Sequence, residues 1–291
     1  MKIFSRCALL VVLMSTAVQA APVTDWHTFK GTPATILAGQ GTDDPVVGGL
    51  GAGETADASF VIGYLGTPVS LINVGDQITF TFGVSFNDTT DISNAGDNFR
   101  FALFDENGEA RVAAENTATA GTDDTDDYRG YIFGVRNGSG TGSGGSIRER
   151  IAMLLSGDNA FAATGTNAPT APSLGAVGGD PVTLTSDTNG DGTGADYTGV
   201  MTLTLTASGI DLTGSFIGTN SPTGNTFSAS DNAVPSPTTF GAVGFLIGDG
   251  LNVEQVIFQD VSVTVVPEPS SLALLGLGSV LLLRHRRRRR S

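Results

Sequence analysis

Residues 77–86 read QITFTFGVSF, with Ile78, Phe80 and Phe82 on one parity and Thr79 and Thr81 on the other. Strict period-two spacing gives one apolar and one polar face only when the backbone is extended, so this stretch is a half-buried strand. The pattern recurs. Residues 58–65 (ASFVIGYL), 98–105 (NFRFALFD), 128–136 (YRGYIFGVR), 198–207 (TGVMTLTLTA), 210–217 (IDLTGSFI), 239–247 (TFGAVGFLI) and 255–265 (QVIFQDVSVTV) read the same way. In 98–105, Phe99, Phe101 and Leu103 share a face opposite Arg100. Clusters of Gly, Asp, Asn, Ser and Thr separate the runs, including the turn DENG at 105–108 and Ser208-Gly209 between two strands.

Patterns of helical period are scarce, and only 148–155 (RERIAMLL) reads equally well as a short helix or a strand. Eight to eleven short strands at this spacing predict an all-β chain, a two-sheet antiparallel β-sandwich of jelly-roll type. No fixed-period repeat marks a solenoid or propeller. No linker divides the body, so one large domain is expected.

The N-terminus is a targeting segment and is set aside before fold reasoning. Lys2 and Arg6 precede an apolar run over 7–14, and small residues end at Val18-Gln19-Ala20. Cleavage is expected between Ala20 and Ala21, after a signal helix that makes up residues 1–20. The single cysteine, Cys7, leaves with it, which excludes a disulfide framework, a thiolate metal site and a cysteine nucleophile in the mature body. Residues 21–266 then hold seven basic and 28 acidic side chains, a net charge of −21. Such a surface repels phosphate backbones, so nucleic acid is not an expected partner.

Two acidic loops are candidate cation sites. In 186–198 (SDTNGDGTGADYT), Asp187, Asn189 and Asp191 occupy positions one, three and five of a loop with Gly192 at six. That spacing converges side-chain oxygens on one hard cation, as in the front half of an EF-hand loop. Asp196 comes two residues before the position where the bidentate acid belongs, and the flanks read as strands. A Ca2+ site and a plain polar turn both fit. Asp123, Asp124, Asp126 and Asp127 form a second acidic run, and Asp43-Asp44 a weaker third.

Evidence for an enzyme is largely negative. The body has one histidine, His27, beside Trp26, with no serine elbow and no histidine pair, and this pair is expected to pack an edge strand. A glycosidase needs only two carboxylates and stays open as an alternative. Thr202, Thr204 and Thr206 alternate with leucines, so a threonine ladder, and with it an ice-binding face, is a further alternative; β propensity alone also explains it. For sugar contact the exposed-aromatic candidates are Tyr64, Tyr128, Tyr131 and Tyr197.

The C-terminus departs from all of this. Pro267-Glu268-Pro269 halts the last strand, because proline cannot donate to a ladder and restrains its predecessor. An uncharged, leucine-rich run follows from Ser271 to Leu283, and then Arg284, Arg286, Arg287, Arg288, Arg289 and Arg290. By physics this is a stop-transfer helix with a basic cytoplasmic end. Thirteen residues at ~1.5 Å cover about 20 Å of a roughly 30 Å hydrocarbon core, too little for a permanent anchor.

Pro267-Glu268-Pro269, a short apolar helix and a terminal arginine cluster resemble the PEP-CTERM sorting signal of Gram-negative-type bacteria. The resemblance covers residues 267–291 and implies recognition of Pro267-Glu268-Pro269 by exosortase, removal of the tail, and release or attachment at the cell surface. It also implies an exopolysaccharide, biofilm-forming context. More loosely, the body resembles concanavalin-A-like lectin and glucanase sandwiches, with DNFRFALFDENG at 97–108 as the nearest feature. The expectation is an exported, non-catalytic β-sandwich of the surface or matrix. Its expected partners are exosortase, extracellular polysaccharide and, transiently, the inner membrane.

Overall fold

The computed structural model describes residues 19–29, 35–48, 50, 59–87, 99–111, 128–136, 145–150, 173–185, 197–219, 221–232, 236–248, 251 and 253–268. Residues 1–18 of the expected signal helix and the expected C-terminal helix lie outside them; Gln19 and Ala20, expected to end the signal helix, are instead extended, because they pair with Val265 and Thr264. Among the described residues the regular elements are fifteen strands. They are β1 (Gln19–Phe29), β2 (Thr35–Ala38), β3 (Val46–Gly48), β4 (Ser59–Ser70), β5 (Gln77–Asn87), β6 (Phe99–Asp105), β7 (Arg129–Gly134) and β8 (Ser146–Arg150). There follow β9 (Ser173–Ala176), β10 (Gly178–Gly179), β11 (Tyr197–Leu205), β12 (Ile210–Gly218), β13 (Ser221–Asp231), β14 (Thr239–Ile247) and β15 (Gln255–Val266).

All pairings are antiparallel, and they make two sheets. Sheet I runs β10-β13-β12-β11-β5-β15, with β3 and the first residues of β1 beyond β15. Sheet II runs from the rest of β1 through β4, β14, β6, β7 and β8 to β9. One strand therefore belongs to both: Gln19–Pro22 of β1 pair with Val265–Ser262, and from Val23 on, through a bulge at Val23/Asp25, the strand pairs with β4. At the opposite margin, β9 and β10 pass the chain from sheet II to sheet I across the single residue Val177. The two-sheet antiparallel sandwich expected from period-two spacing is the fold found.

The two sheets read differently in sequence for a physical reason. In β11, Tyr197, Gly199, Met201 and Leu203 are buried while Thr198, Val200, Thr202 and Thr204 face outward, so sheet I has one dry and one wet face. β4 and β14 are apolar on both parities and buried on both. A sheet covered on each face needs continuous apolar runs instead of alternation. The inner layer is an aromatic stack in which Phe82 lies 4.8 Å from Phe245 and 5.0 Å from Phe101 between ring centroids. A second cluster, including Phe60, Tyr64, Phe104, Tyr128 and Leu246, fills the far face of sheet II.

The ambiguous segment at 148 is resolved as strand through Arg150, pairing Arg148 with Ile132. Trp26 and His27 lie in the half of β1 that borders sheet II, the expected edge strand; Trp26 turns inward over Gly63, where a Cβ would fall 2.4 Å from its ring. The Asp43-Asp44 pair has a structural task. Asp260, at φ 51, opens a bulge in β15, and its N–H donates to Asp44 Oδ1 at 2.7 Å.

Candidate functional site

The C-terminal exit is built around one buried carboxylate. The last ladder pair of β15 sets Val266 opposite Gln77, and the chain leaves through Pro267 and Glu268. Asp76 receives it. Its Oδ2 accepts the backbone N–H of Ile72 at 2.9 Å and of Asn73 at 2.7 Å, and its Oδ1 accepts the N–H of Glu268 at 3.0 Å. The turn itself is tied to β11, because Gly75 N–H donates to Leu205 O and Leu205 N–H to Asp76 O.

Burial alone would raise the Asp76 carboxyl, but the N–H donors of Asn73, Glu268 and Ile72 outweigh it and hold the group below its usual range. A depressed carboxyl stabilises the fold above the ordinary carboxylate range and loses that contribution as pH falls through its folded value. Asp76→Ala leaves three N–H groups without their acceptor and is expected to cost about 2–3 kcal/mol at pH 7, less in acid. Chemical denaturation at pH 7 and pH 3 measures both; an equal cost at the two pH values would refute the linkage.

The second feature is the outer face of sheet I. Register aligns Thr264, Thr79, Thr202, Thr213 and Ser228 in one row across five strands. A second row runs Ser262, Thr81, Val200, Ser215, Thr226, and a third Val266, Gln77, Thr204, Asp211, Ser230. Neighbouring hydroxyls meet, with Thr79 Oγ1 3.2 Å from Thr202 Oγ1 and Thr81 Oγ1 2.8 Å from Ser262 Oγ. Asp211 is the one charged residue of these fifteen positions, on a chain whose net charge is −14. Thr206, expected on this ladder, is not there. β11 ends at Leu205, and Thr206 Oγ1 closes the hairpin turn by donating to Gly209 O at 3.0 Å.

A third cluster lies inside the sandwich margin. Tyr131 O–H donates to Asp231 Oδ2 at 2.7 Å, and Glu149 hydrogen-bonds the same carboxylate while its Oε2 has no partner. Glu149 and Asp231 are 4 % and 1 % exposed. Burial first, and Asp231 beside it second, push Glu149 up to about 7. Below that value Glu149 keeps its proton and meets Asp231 as a neutral carboxyl. Glycosidase pairs stand roughly 5–9.5 Å apart with substrate between them, so two acids in direct contact beneath the surface do not form such a pair.

The tyrosines overturn an expectation. Tyr64, Tyr128, Tyr131 and Tyr197 are all buried, not displayed for sugar. A phenol in the interior needs a partner for its O–H, and each has one: Tyr64 and Tyr128 bond each other at 2.8 Å, Tyr131 bonds Asp231, and Tyr197 donates to Thr183 O at 2.9 Å. His27, also buried, sits 2.9 Å from Asp25 Oδ1.

Among the described residues no group of three or more His, Cys, Asp or Glu side chains is placed to hold a metal ion. The calcium candidates Asp187, Asn189, Asp191 and Asp196 lie outside those residues, as do the acidic run at 123–127, Pro269, the 271–283 segment and the arginines from Arg284 to Arg290. Sequence reasoning missed Asp76 and Glu149, since neither sits in a motif and each acquires its surroundings from distant strands.

Exit, faces and margin together define an antiparallel two-sheet sandwich whose last strand runs directly into a C-terminal tail of processing type. Residues 265–289 match the PEP-CTERM protein-sorting motif. That motif is the mark of an exosortase-sorted, surface-directed protein. No curated protein matches the chain. Among solved structures, the carbohydrate recognition domain of Emp47p is 14 % identical with a TM-score of 0.43, covering 85 % of this chain and 94 % of its own. Lectin I from Ulex europaeus, in complex with the methyl glycoside of α-L-fucose, is 11 % identical with a TM-score of 0.45, covering 86 % and 98 %. The VIP36 exoplasmic/lumenal domain in its Ca2+/Man3GlcNAc-bound form is 15 % identical with a TM-score of 0.39, covering 82 % of each chain.

Proposed function

We propose that this is an exported surface or matrix protein of a Gram-negative-type bacterium, cut by signal peptidase between Ala20 and Ala21 and by exosortase at Pro267-Glu268-Pro269. Its body is a non-catalytic binding or structural sandwich associated with exopolysaccharide. The observation that carries this reading is the sorting motif at 265–289, which begins in the final strand of the fold. The precursor passes through the inner membrane, held by the short apolar run and its arginines. A Ca2+ ion at Asp187, Asn189, Asp191 and Asp196 is part of the same proposal.

The neutral hydroxyl rows of sheet I support the polysaccharide part. A glycan presents hydroxyls at a spacing that a Ser/Thr face meets by hydrogen bonding, and the neutral face spares it the charge of the acidic body. Sheet twist decides between glycan and ice. At roughly 20–25° per strand, four steps turn the rows by about 80–100°. A flexible glycan chain follows that twist, whereas a rigid ice plane does not.

Thr202→Asp with Thr213→Asp places two charges in the middle row, on outward positions the core does not use. Retention on neutral insoluble polysaccharide is expected to fall about tenfold or more, equivalent to at least ~1.4 kcal/mol. Unchanged retention removes this face from the reading. Release of reducing ends by the wild type would make the body a hydrolase, and thermal hysteresis would favour ice.

A further inference from the structure

Among the described residues four large apolar side chains are exposed: Leu37, Ile72 at 78 %, Val74 at 55 % and Val266 at 37 %. The last three meet at one corner. Ile72 and Glu268 donate their backbone N–H groups to the same Asp76 carboxylate, and Val266 pairs with Gln77 one residue away. Glu268 lies against Gly75, which has φ +98 and where a Cβ would fall 2.0 Å from Glu268 Cδ. The positive φ favours glycine at this turn, and the Glu268 side chain lies over it.

Chain length then fixes where this corner sits. Three residue steps separate Glu268 from Ser271, the first residue of the uncharged run. At ~3.3–3.6 Å per residue they span at most about 11 Å. A precursor whose 271–283 segment is seated in a bilayer therefore holds the Asp76 corner against the headgroup region. The exposed side chains beside the exit, Asn73, Gln77 and Ser208 among them, are neutral apart from Glu268 and, two strands along the same row, Asp211. The 28 acidic residues of the body would otherwise resist approach to an anionic surface.

We propose that Ile72, Val74 and Val266 form a lipid-contacting tip on which the precursor rests, with Asp76 locking the exit so that the sandwich stands in a fixed pose for processing. This rests on the membrane-anchor reading of the C-terminal run. The opposite end of the sandwich then points outward: β12 leaves the tip-side turn at Ile210 and climbs nine residues to Gly218, about 30 Å.

The test uses the signal-cleaved chain, 21–291, which has no native cysteine. Single variants Ile72→Cys, Val74→Cys and Thr219→Cys are labelled with an environment-sensitive fluorophore and reconstituted into phosphatidylethanolamine/phosphatidylglycerol vesicles. Brominated lipids are expected to quench labels 72 and 74 several-fold more than label 219, with blue-shifted emission at the tip sites alone. Equal, weak quenching at all three positions in vesicles that carry the protein on flotation overturns the tip. Failure of the chain to float overturns the anchor reading beneath it, which is a separate result.

Discussion

Converting Pro267, Glu268 and Pro269 together to alanine is expected to abolish C-terminal processing while leaving the sandwich intact. The two consequences separate because of where the motif lies. Pro267 and Glu268 follow the last ladder residue of β15, so no strand pairing is lost. The contact Glu268 makes with Asp76 uses its backbone N–H, which alanine retains. The unfolding free energy should therefore change by no more than about 0.5 kcal/mol, the scale of a surface substitution. The protease, by contrast, loses the two prolines that hold the segment extended and the carboxylate between them. Immunoblotting of fractionated cells is expected to show the full-length precursor in the inner membrane and none at the surface. Mature-sized protein on the surface of that mutant would refute the assignment of Pro267-Glu268-Pro269 as the processing signal.

Glu149→Gln is expected to stabilise the protein in alkali and to do nothing in acid. Glu149 holds its proton up to about 7, against a reference of 4.5, because it is buried beside Asp231. A carboxyl raised in the folded state contributes stability that is complete below its unfolded value, near 4.5, and is lost as pH rises through about 7. The difference of about 2.5 units corresponds to roughly 3 kcal/mol at pH 9, an order-of-magnitude figure. Glutamine keeps the shape, donates an amide N–H to Asp231 as the protonated acid does, and cannot ionise. Its Tm at pH 9 should exceed the wild type's by roughly 6–12 °C, with the two curves converging near pH 4.5. A constant gap at every pH would show a packing effect and refute the raised Glu149 carboxyl.

Much of the strand layout was legible because burial and local sequence agree in sheet I. From Gln77 to Phe82 in β5 and through most of β11 the inward residues are apolar and the outward ones polar, Val200 excepted, so the period-two pattern is a direct record of the two faces. β13 carries the same geometry without the signal. In SPTGNTFSASD the inward positions include Asn225, Ala229 and Asp231, and only Phe227 is strongly apolar. Its place comes from pairing with β12, not from its own composition. The tyrosines misled for the converse reason. A tyrosine's polar tip suggests a surface place for Tyr64 and Tyr197, but hydroxyl partners from other segments let each phenol be buried whole.

Of the candidate site, Thr202 and Thr204 were readable on one strand, while the rows they belong to were not. Thr79, Thr213, Ser228 and Thr264 line up with Thr202 only through four strand pairings. The same holds for the acid pair, which joins β8 to the end of β13, and for Asp76 and Glu268, 192 residues apart.

What the chain's order of residues determines by itself is therefore local: which stretches are extended, which face of each is dry, where proline ends the last strand, and that an apolar run and arginines follow it. Those properties depend on neighbours one to four positions away. Tertiary structure decided the rest. It aligned hydroxyls into rows, buried Glu149 against Asp231 so that it holds its proton, and set Asp76 under the exit of the sorting tail. Each of these needs groups that meet only when long loops close and strands lock in register, and closure across so many residues leaves no periodic trace in sequence.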